Sequence, residues 1–411
     1  MPPALPFEWL LALRFLREGR AQTLLILTGI TLGVGVIVFL TALINGLQAN
    51  IIQRTLGVQA HISVQAPEDR VQPAFVRGDD DMPWLSRVEP RAQKLRSIPR
   101  WQEVAAGIGN VPGVRHVSAM VSGPVFAMRG DAEKQVALMG VELDDYLRIV
   151  PLDTYLVAGT LRVAAGEAVI GVELARELGL SVGDRLRLGG IGTRSETFLV
   201  SGLVSVGLRD LDRRWVFVSR RNAQNLLDLD GGVTHIDVRV DDIWGASAVA
   251  DIIGARYDVV AESWMQSNRQ LMTGLNSQRA SSSIIRFFVL VSVAFGIASV
   301  LAVSVVQKQR EIGILRAMGT RRATILQVFL IQGALLGGAG SVLGAAAGAA
   351  LATGFRQVAL NADGTPLFPI VIDGSLFLTA VLTATITGLV AAALPARRAA
   401  RLDPVEAIRN G

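Results

Sequence analysis

The side chains that usually carry catalytic or metal chemistry are few in this sequence and far apart. Among 411 residues there are three lysines, three histidines and no cysteine. No lysine follows a glycine, so the phosphate-binding motif GxxxxGK[ST] is absent and ATP hydrolysis by that route is excluded. His61, His116 and His235 lie far apart along the chain, which disfavours a metal site. There is also no GxSxG motif, so the sequence predicts a protein without a catalytic centre or a metal of its own.

A dense charged stretch, "QKQREIGILRAMGTRRATI" at residues 307–325, is the most distinctive feature of the chain. Placed on a helix, Ile312, Leu315 and Met318 recur every three residues and form an apolar stripe. The charged residues beside the stripe are Arg310, Glu311 and Arg316. We expect Gly319 to end this helix and Thr320 to cap the next one. The apolar stripe must be shielded from water. Two partners could shield it: anionic lipid or a groove in another protein.

The elements that position this stretch are long uncharged apolar runs. Four of them occur, at 21–44, 287–306, 323–355 and 374–394. Each is long enough to cross a bilayer as a helix, which takes about 20 residues. The third run exceeds one span, and its span is assigned to 326–353. A mean hydropathy of +0.43 supports the membrane interpretation over four buried core helices.

Arginines cluster at alternate ends of these spans. The positive-inside rule therefore places residues 1–20, 307–325 and 395–411 in the cytoplasm. Residues 45–286 and the loop 354–373 then lie outside, and the first span, which lacks a cleavage site, stays as an anchor. Because topology accounts for the positive charge, the net charge of +5 gives no reason to predict nucleic-acid binding.

The outer segment has a mixed α/β pattern with a possible internal repeat. Each copy is predicted as strand, helix and strand, with a tryptophan opening the helix; chance similarity is the alternative. The first copy is 61–64, 101–110 and 114–121, and the second is 235–240, 244–257 and 258–264.

The rest of the outer segment divides into three kinds of structure. Residues 150–230 are predicted to be rich in strands joined by glycine turns. Residues 66–100 carry Pro, Asp and Arg with little periodicity and are interpreted as an irregular insertion. The flanks 45–57 and 265–286 are predicted to continue spans one and two as a helical stalk.

Two motifs carry a resemblance to a known family. "REIGILRAMGTRRATI" and the C-terminal "LPARRAARLDPVEAIR" at 394–409 resemble the MacB/FtsX-like family of ABC transporter permeases. Thr320 stands where that family usually has Ala, and Ile408 where it has Leu. The N-terminal stretch 7–48 is most similar to the lipoprotein-releasing (Lol-type) branch. Residues 66–100 have no counterpart in the resemblance.

This resemblance implies a fold and a set of partners. The fold is four transmembrane helices with a large mixed α/β extracytoplasmic domain between helices one and two, the type VII or mechanotransmission architecture. It implies a subunit of the bacterial inner membrane that pairs with a second copy or a related permease. Separate cytoplasmic ABC ATPases would bind ATP and Mg²⁺, so no cofactor is expected in this chain. The residues implied to form the ATPase-coupling element are Arg310, Glu311, Ile312, Leu315, Arg316, Met318 and Gly319.

A row of glycines on span three predicts close helix packing. Gly340, Gly344 and Gly348 form GxxxGxxxG on one face, and Gly333 and Gly337 form another pair. We expect the GxxxGxxxG face to form the interface between two permease subunits. Packing against another span of the same chain is the alternative.

The cargo is less well defined by the sequence. Release of lipoproteins from the inner membrane is the first hypothesis, with an acylated protein and membrane lipid contacting the spans. Export of amphiphilic small molecules with a periplasmic adaptor and an outer-membrane duct is the second. The third hypothesis is a subunit that only transmits ATPase motion. The fourth is a simple membrane-anchored binding domain. Asn45 matches an Asn-Gly of the Lol branch and either lines a cargo entrance or caps the end of the first helix.

Overall fold

A computed structural model describes residues 6–67, 95–190, 194–359 and 374–403 of the chain. These residues form two compact units. The helical unit is built from both ends of the chain, up to Ile52 and from Thr273. The α/β unit is Gln53–Met272.

The helices and strands follow one another in a simple order. The helices are α1 (Phe7–Glu18), α2 (Arg20–Leu56), α3 (Trp101–Gly109), α4 (Leu143–Leu147), α5 (Val172–Leu178), α6 (Arg209–Asp212), α7 (Arg220–Leu226), α8 (Ala246–Tyr257), α9 (Trp264–Ser267), α10 (Arg269–Gln307), α11 (Gln309–Ala317), α12 (Arg322–Val358) and α13 (Gly374–Ala400). The strands are β1 (Ile62–Gln65), β2 (Val114–Arg129), β3 (Ala132–Val141), β4 (Leu156–Gly159), β5 (Glu167–Gly171), β6 (Arg185–Gly189), β7 (Ser195–Val204), β8 (Trp215–Ser219), β9 (His235–Val240) and β10 (Val260–Ser263). A 3-10 turn covers Leu152–Tyr155.

Four helices of the described chain, α2, α10, α12 and α13, are long and apolar enough to cross a membrane. The four apolar runs of the sequence lie within them. Helix α2 continues to Leu56 and α10 begins at Arg269, so the prediction that both flanks are helical is confirmed. The fold class is therefore four membrane helices with an α/β domain inserted between the first and the second.

Helix α12 is the central helix of its unit. In its most apolar window 56% of the residues are buried, against 17–28% in the other three helices. Ile30 and Val34 of α2, Leu301 of α10 and Ala392 of α13 join Phe329 of α12 in one buried cluster. A helix so enclosed gains little from lipid, which explains why small residues rather than large aliphatic ones fill it.

The α/β unit contains the predicted repeat. The strand–helix–strand copies are β1–α3–β2 and β9–α8–β10. Their strands interleave in the order β10–β1–β9–β2, and all neighbours are antiparallel. Two interlocked split βαβ units of this kind form a ferredoxin-like sheet. The Ser63–Asp237 pair lies at the centre of the β1–β9 register, where the two copies meet.

The glycine-rich middle of the segment supplies four strands, β5 to β8, to a closed barrel, which agrees with the predicted strands at 150–230; β2 and β3 complete the barrel. Strand β2 pairs with β3, then β8, β5, β7 and β6 follow, and β6 pairs again with β2. Closure leaves these six strands without free edges. The long strand β2 belongs to both the barrel and the ferredoxin-like sheet and joins them.

Some predictions fall on residues outside the described ranges. These are most of the insertion 66–100, most of the loop 354–373 and the end of the tail 395–411.

Candidate coupling site

The short helix α11 ends where the sequence predicted. Gly319 has a φ of +94°, a conformation that glycine adopts without strain, and its N–H donates to the carbonyl of Arg316. The next helix begins differently from the prediction. The residue before α12 is Arg321, with no side-chain cap, so the prediction that Thr320 caps α12 was wrong. The backbone N–H of Thr320 instead donates to the carbonyl of Leu315 and closes the turn.

Most of the predicted apolar stripe on α11 is already covered by the chain itself. Ile312 is fully buried, and Leu315 packs against the same cluster as Phe329 of α12. The expectation that the whole stripe needs an external cover was therefore wrong for these two residues. They anchor α11 to the membrane helices, whereas Met318 is 72% exposed.

A different surface, formed by α11 and the turn between α11 and α12, is open to a partner. It consists of Arg310, Ile314, Ala317, Met318 and Arg321, all exposed, and we name it the coupling surface. Residues 310, 314 and 317 share one helical face by their spacing of four and three. The sequence places Ile314 beside Met318 at a spacing of four. Ile314 was nevertheless not among the predicted coupling residues, because the apolar stripe was centred on Ile312, on the opposite side of α11.

The two remaining charged residues of the predicted element differ in environment. Arg316 is half-buried, and its Nε has no hydrogen-bond partner among the described residues. Glu311 is exposed but engaged, because its Oε1 accepts from Lys308 Nζ at 2.9 Å. The ATPase-contact role of both residues remains a prediction.

Lys308 connects the N-terminal helix to α11. Its Nζ forms ion pairs with Glu18 at the end of α1 and with Glu311, and it lies 5.3 Å from the ring centre of Phe15. Arg14 pairs with Glu18 from the other side at 2.9 Å. Lys308 and then Arg14 hold the pKa of Glu18 below its usual range. The sequence reasoning missed this network, although Lys308 and Glu311 at a spacing of three were a local signal for an ion pair.

The glycine row of α12 lies against another helix of the same chain. A Cβ built on Gly340 would lie 2.7 Å from Ile30 Cβ, and one on Gly344 would lie 2.7 Å from the carbonyl oxygen of Thr31. One on Gly348 would lie 2.5 Å from the carbonyl oxygen of Gly35. The row is thus occupied by α2, and the prediction that it forms the subunit interface was wrong.

The pair Gly333 and Gly337 lies on the face of α12 that contacts α13. A Cβ on Gly333 would lie 2.7 Å from the carbonyl oxygen of Gly388, and one on Gly337 would lie 3.0 Å from that of Ala384. Both faces of α12 are therefore used within one chain, by α2 and by α13.

Asn45 is exposed on α2. The helix continues to Leu56, so Asn45 lies within it and caps no end. The capping interpretation was wrong, and the cargo-entrance interpretation remains a prediction.

Family models match both parts of the molecule. The MacB-like periplasmic core domain matches residues 23–256, and the FtsX-like permease C-terminal model matches residues 283–404. The first covers more than half of the chain, and the second contains α11 and the coupling surface.

The chain belongs to the MacB/FtsX-like permease family.

Curated relatives of this permease fall into two groups. The lipoprotein-releasing system transmembrane protein LolC of Xylella fastidiosa is 27% identical over 98% of this chain and 99% of that protein. LolC of Neisseria meningitidis is 25% identical over 97% and 98%. The macrolide export ATP-binding/permease protein MacB of Psychrobacter cryohalolentis is 25% identical over 97% of this chain but only 58% of that protein. This permease is thus an ABC transporter subunit of the LolC/MacB type.

Among solved structures, this permease is similar to the periplasmic region of MacB from Actinobacillus actinomycetemcomitans. The identity is 15%, the coverage 54% of this chain and 95% of that one, and the TM-score 0.34. The extracellular domain of the ABC-type transporter YknZ covers 39% of this chain and 87% of that one, with 15% identity and a TM-score of 0.31.

The helical unit of this permease also has a groove between α2 and α10. Val36, Ile37 and Leu40 line one wall, and Ile285 and Val289 line the other. One charged side chain lines it as well: Arg286, which is half-buried and forms no ion pair within the described part of the chain. The groove is small, with a volume of about 20 Å³, and Thr41 and Ser282 also line it.

Proposed function

We propose that this permease works with a separate cytoplasmic ATPase to release lipoproteins from the bacterial inner membrane. The observation that carries the proposal is the full-length match to LolC, in which both proteins are covered almost from end to end. The MacB relative has an additional 42% of its length that this chain does not match (100% minus the 58% covered).

The coupling surface supports an ATPase partner. It combines two arginines with Ile314 and Met318 on an element whose other side is fixed to the membrane core by Ile312. An exposed apolar pair ringed by cations fits a groove with an acidic rim. Since α11 is anchored between α10 and α12, a push on this surface is transmitted to both spans. ATP and Mg²⁺ are bound by the ATPase in this proposal, and both termini and α11 face the cytoplasm.

The α2–α10 groove supports an acylated cargo. Its walls are mostly aliphatic, and the hydroxyls of Thr41 and Ser282 already donate to carbonyls of their own helices. Since the groove encloses only about 20 Å³, an acyl chain would lie along its open side rather than inside it. Arg286 can hold an ester, amide or phosphate oxygen next to that chain. Asn45 follows the groove residue Ile44 on α2 and is exposed, and we keep it as a candidate residue of the cargo entrance. A second permease, identical or related, completes the complex, with a lipoprotein carrier or adaptor at the α/β unit.

Release from reconstituted membranes tests the proposal. The permease and its ATPase are placed in proteoliposomes with a labelled lipoprotein, and ATP-dependent release is measured. We expect Arg286→Glu to reduce release at least tenfold. Arg279→Glu is the matched control, because Arg279 is exposed on the same helix outside the groove. Full release by the Arg286→Glu variant, or none by the wild type, contradicts the cargo assignment.

Export of amphiphilic small molecules is the second candidate, favoured by the match of MacB to 97% of this chain. In that case the ATPase complex is stimulated by the small molecule and retains an adaptor, but releases no lipoprotein. Depletion of the permease in its host separates the two candidates. Lipoproteins accumulate in the inner membrane under the first, whereas sensitivity to amphiphilic compounds rises under the second.

A further inference from the structure

The ferredoxin-like sheet has two faces of very different character. Ile62 and Val64 of β1 and Ile236 and Val238 of β9 are fully buried on one face. Side chains alternate along a strand, so the residues between them point to the opposite face. That opposite face is polar.

One row of side chains crosses the polar face over four strands. The register places Glu262 opposite Ser63, Ser63 opposite Asp237, and Asp237 opposite Ser118. Cross-strand partners share a face, so these four residues are neighbours in that order. Asp237 is 8% exposed and Ser118 is 1% exposed. Ser118 Oγ has no hydrogen-bond partner among the described residues.

Three members of the row, Ser63, Asp237 and Glu262, line a cavity of about 310 Å³ within the α/β unit, whereas Ser118 does not line it. Asp237 and Glu262 line it together with three large aromatic residues, Tyr146, Trp215 and Trp264. Gln59 also lines it, and its Nε2 is buried without a hydrogen-bond partner. A volume of this size is within the range of small-molecule sites.

The charge of this cavity is unbalanced. Among the residues that the structure describes, two carboxylic acids line it and no lysine or arginine does. The Asp237 carboxyl has a hydrogen bond from Ser63, yet burial raises its pKa to about 7. Among the described residues no three His, Cys, Asp or Glu side chains are grouped to hold a metal ion. A cation that suits two acids and an aromatic wall is therefore an organic ammonium, which gains from both carboxylate and ring faces.

We propose that this cavity binds a small organic ammonium compound, with Asp237 as its buried counter-ion, Glu262 at the mouth and Trp215 and Tyr146 as the aromatic wall. The site is separate from the coupling surface and from the α2–α10 groove, so it is independent of the proposed cargo. It makes the α/β unit a sensor of an amine-bearing molecule.

Binding of ethanolamine and choline to the full-length protein in detergent tests the proposal. Calorimetry gives the affinity, and quenching of tryptophan fluorescence provides a second signal from the cavity wall. We expect saturable binding that falls at least tenfold in Asp237→Asn and several-fold in Glu262→Gln. The matched control is Asp131→Asn, an exposed acid in the β2–β3 turn, which should bind as the wild type does.

The pH dependence separates a counter-ion from a structural role. Affinity should rise between pH 6 and 8 as Asp237 ionises, and this rise should vanish in Asp237→Asn. The other titratable groups in the cavity are Tyr146, His235 and Glu262. Burial raises the pKa of Tyr146 far above this interval, and it lowers the pKa of His235. A His235→Gln variant reports the contribution of His235. The Glu262→Gln variant reports the contribution of Glu262.

Nanodiscs distinguish a soluble amine from a lipid headgroup. If discs of phosphatidylethanolamine block ethanolamine binding and discs of phosphatidylglycerol do not, the ammonium is that of a lipid. If both discs leave binding intact, it is that of a soluble compound. Absence of saturable binding, or equal affinity in a folded Asp237→Asn variant, overturns the proposal.

Discussion

Gly348 of α12 and Gly35 of α2 are in backbone contact. A Cβ added to Gly348 would lie 2.5 Å from the carbonyl oxygen of Gly35 and 3.0 Å from Val38 Cβ. Two helices at opposite ends of the sequence therefore pack as closely as their backbones permit, and only glycine allows it at this position. The glycine row thus maintains the fold of one subunit.

Gly348→Ala should destabilise the protein by about 1–3 kcal/mol, the usual cost of overpacking. The methyl group would meet backbone atoms, which cannot rotate away. Gly354→Ala on the same helix is the control, because a Cβ there meets nothing within 4 Å. Thermal unfolding of the detergent-solubilised protein measures both. An unchanged melting temperature in Gly348→Ala would contradict the packing described here.

Met318→Asp should abolish co-purification of the ATPase while the permease stays folded. Met318 is 72% exposed, so the added charge loses no intramolecular packing, but it repels the acidic rim proposed for the partner. Arg17→Glu is a charge-reversed control on an exposed residue of α1, outside the coupling surface. Normal ATPase retention by Met318→Asp would show that the partner docks elsewhere.

Ile312→Ala should have the opposite effect: it should lower the stability of the protein but leave ATPase binding intact. Ile312 is fully buried, so the truncation leaves a cavity and should cost about 2–5 kcal/mol. ATPase retention at low temperature should persist, because the coupling surface is unaltered. Melting temperature and ATPase co-purification are measured for both variants. We expect Ile312→Ala to change only the melting temperature and Met318→Asp to change only ATPase binding. If both variants lose the ATPase without a change in melting temperature, α11 is not anchored as described.

Lys308→Met should loosen the attachment of α11 to α1. The ion pairs from Lys308 to Glu18 and Glu311 are lost, and amide hydrogen exchange at residues 309–317 should become faster. Lys308→Arg keeps the charge and should stay close to the wild type. Because the pKa of Glu18 is lowered, the network persists below the usual pKa of a glutamate and is lost only as the pH falls through that lowered value. Wild-type protection should therefore be equal at pH 5 and pH 7.

The contribution of Asp237 to the stability of the α/β unit should fall as the pH rises from about 4 to about 7. The pKa of Asp237 is raised from 3.8 to about 7, so the folded state binds its proton more tightly than the unfolded state does. The free energy of unfolding then decreases with pH from about 4 upward, and the loss is complete above about 7. Asp237→Asn should remove this slope and raise the melting temperature at pH 8 by several degrees. A melting-temperature difference between the wild type and Asp237→Asn that stays constant from pH 4 to 7 would contradict the assignment.

Local patterns in the sequence were sufficient to predict several elements of the structure. The spans follow from uncharged runs, because a bilayer tolerates only apolar helices of that length. The two strand–helix–strand copies follow from their matched polar and apolar spacing. Gly319 follows from the need for a positive φ at a helix end. Each of these features depends on residues close together in the chain.

Other features could not be predicted from the sequence, because they depend on which surfaces contact each other in the folded chain. A helix pattern shows that Ile312 and Leu315 share a face, but not that α10 and α12 already cover it. In the same way GxxxGxxxG predicts a close neighbour and cannot distinguish α2 of the same chain from a second subunit. The row from Glu262 to Ser118 exists only once four strands are placed in register.

By itself the sequence determined the membrane helices, the α/β class of the inserted segment and the family motifs, since length, charge and periodicity are local properties. The tertiary structure decided that the glycines of α12 pack within one subunit, that α11 presents Ile314 and Met318 outward, and that Asp237 lies in a cavity. The physical reason is that burial depends on the partner surface, and residues as distant as Gly35 and Gly348 become partners only when the chain has folded.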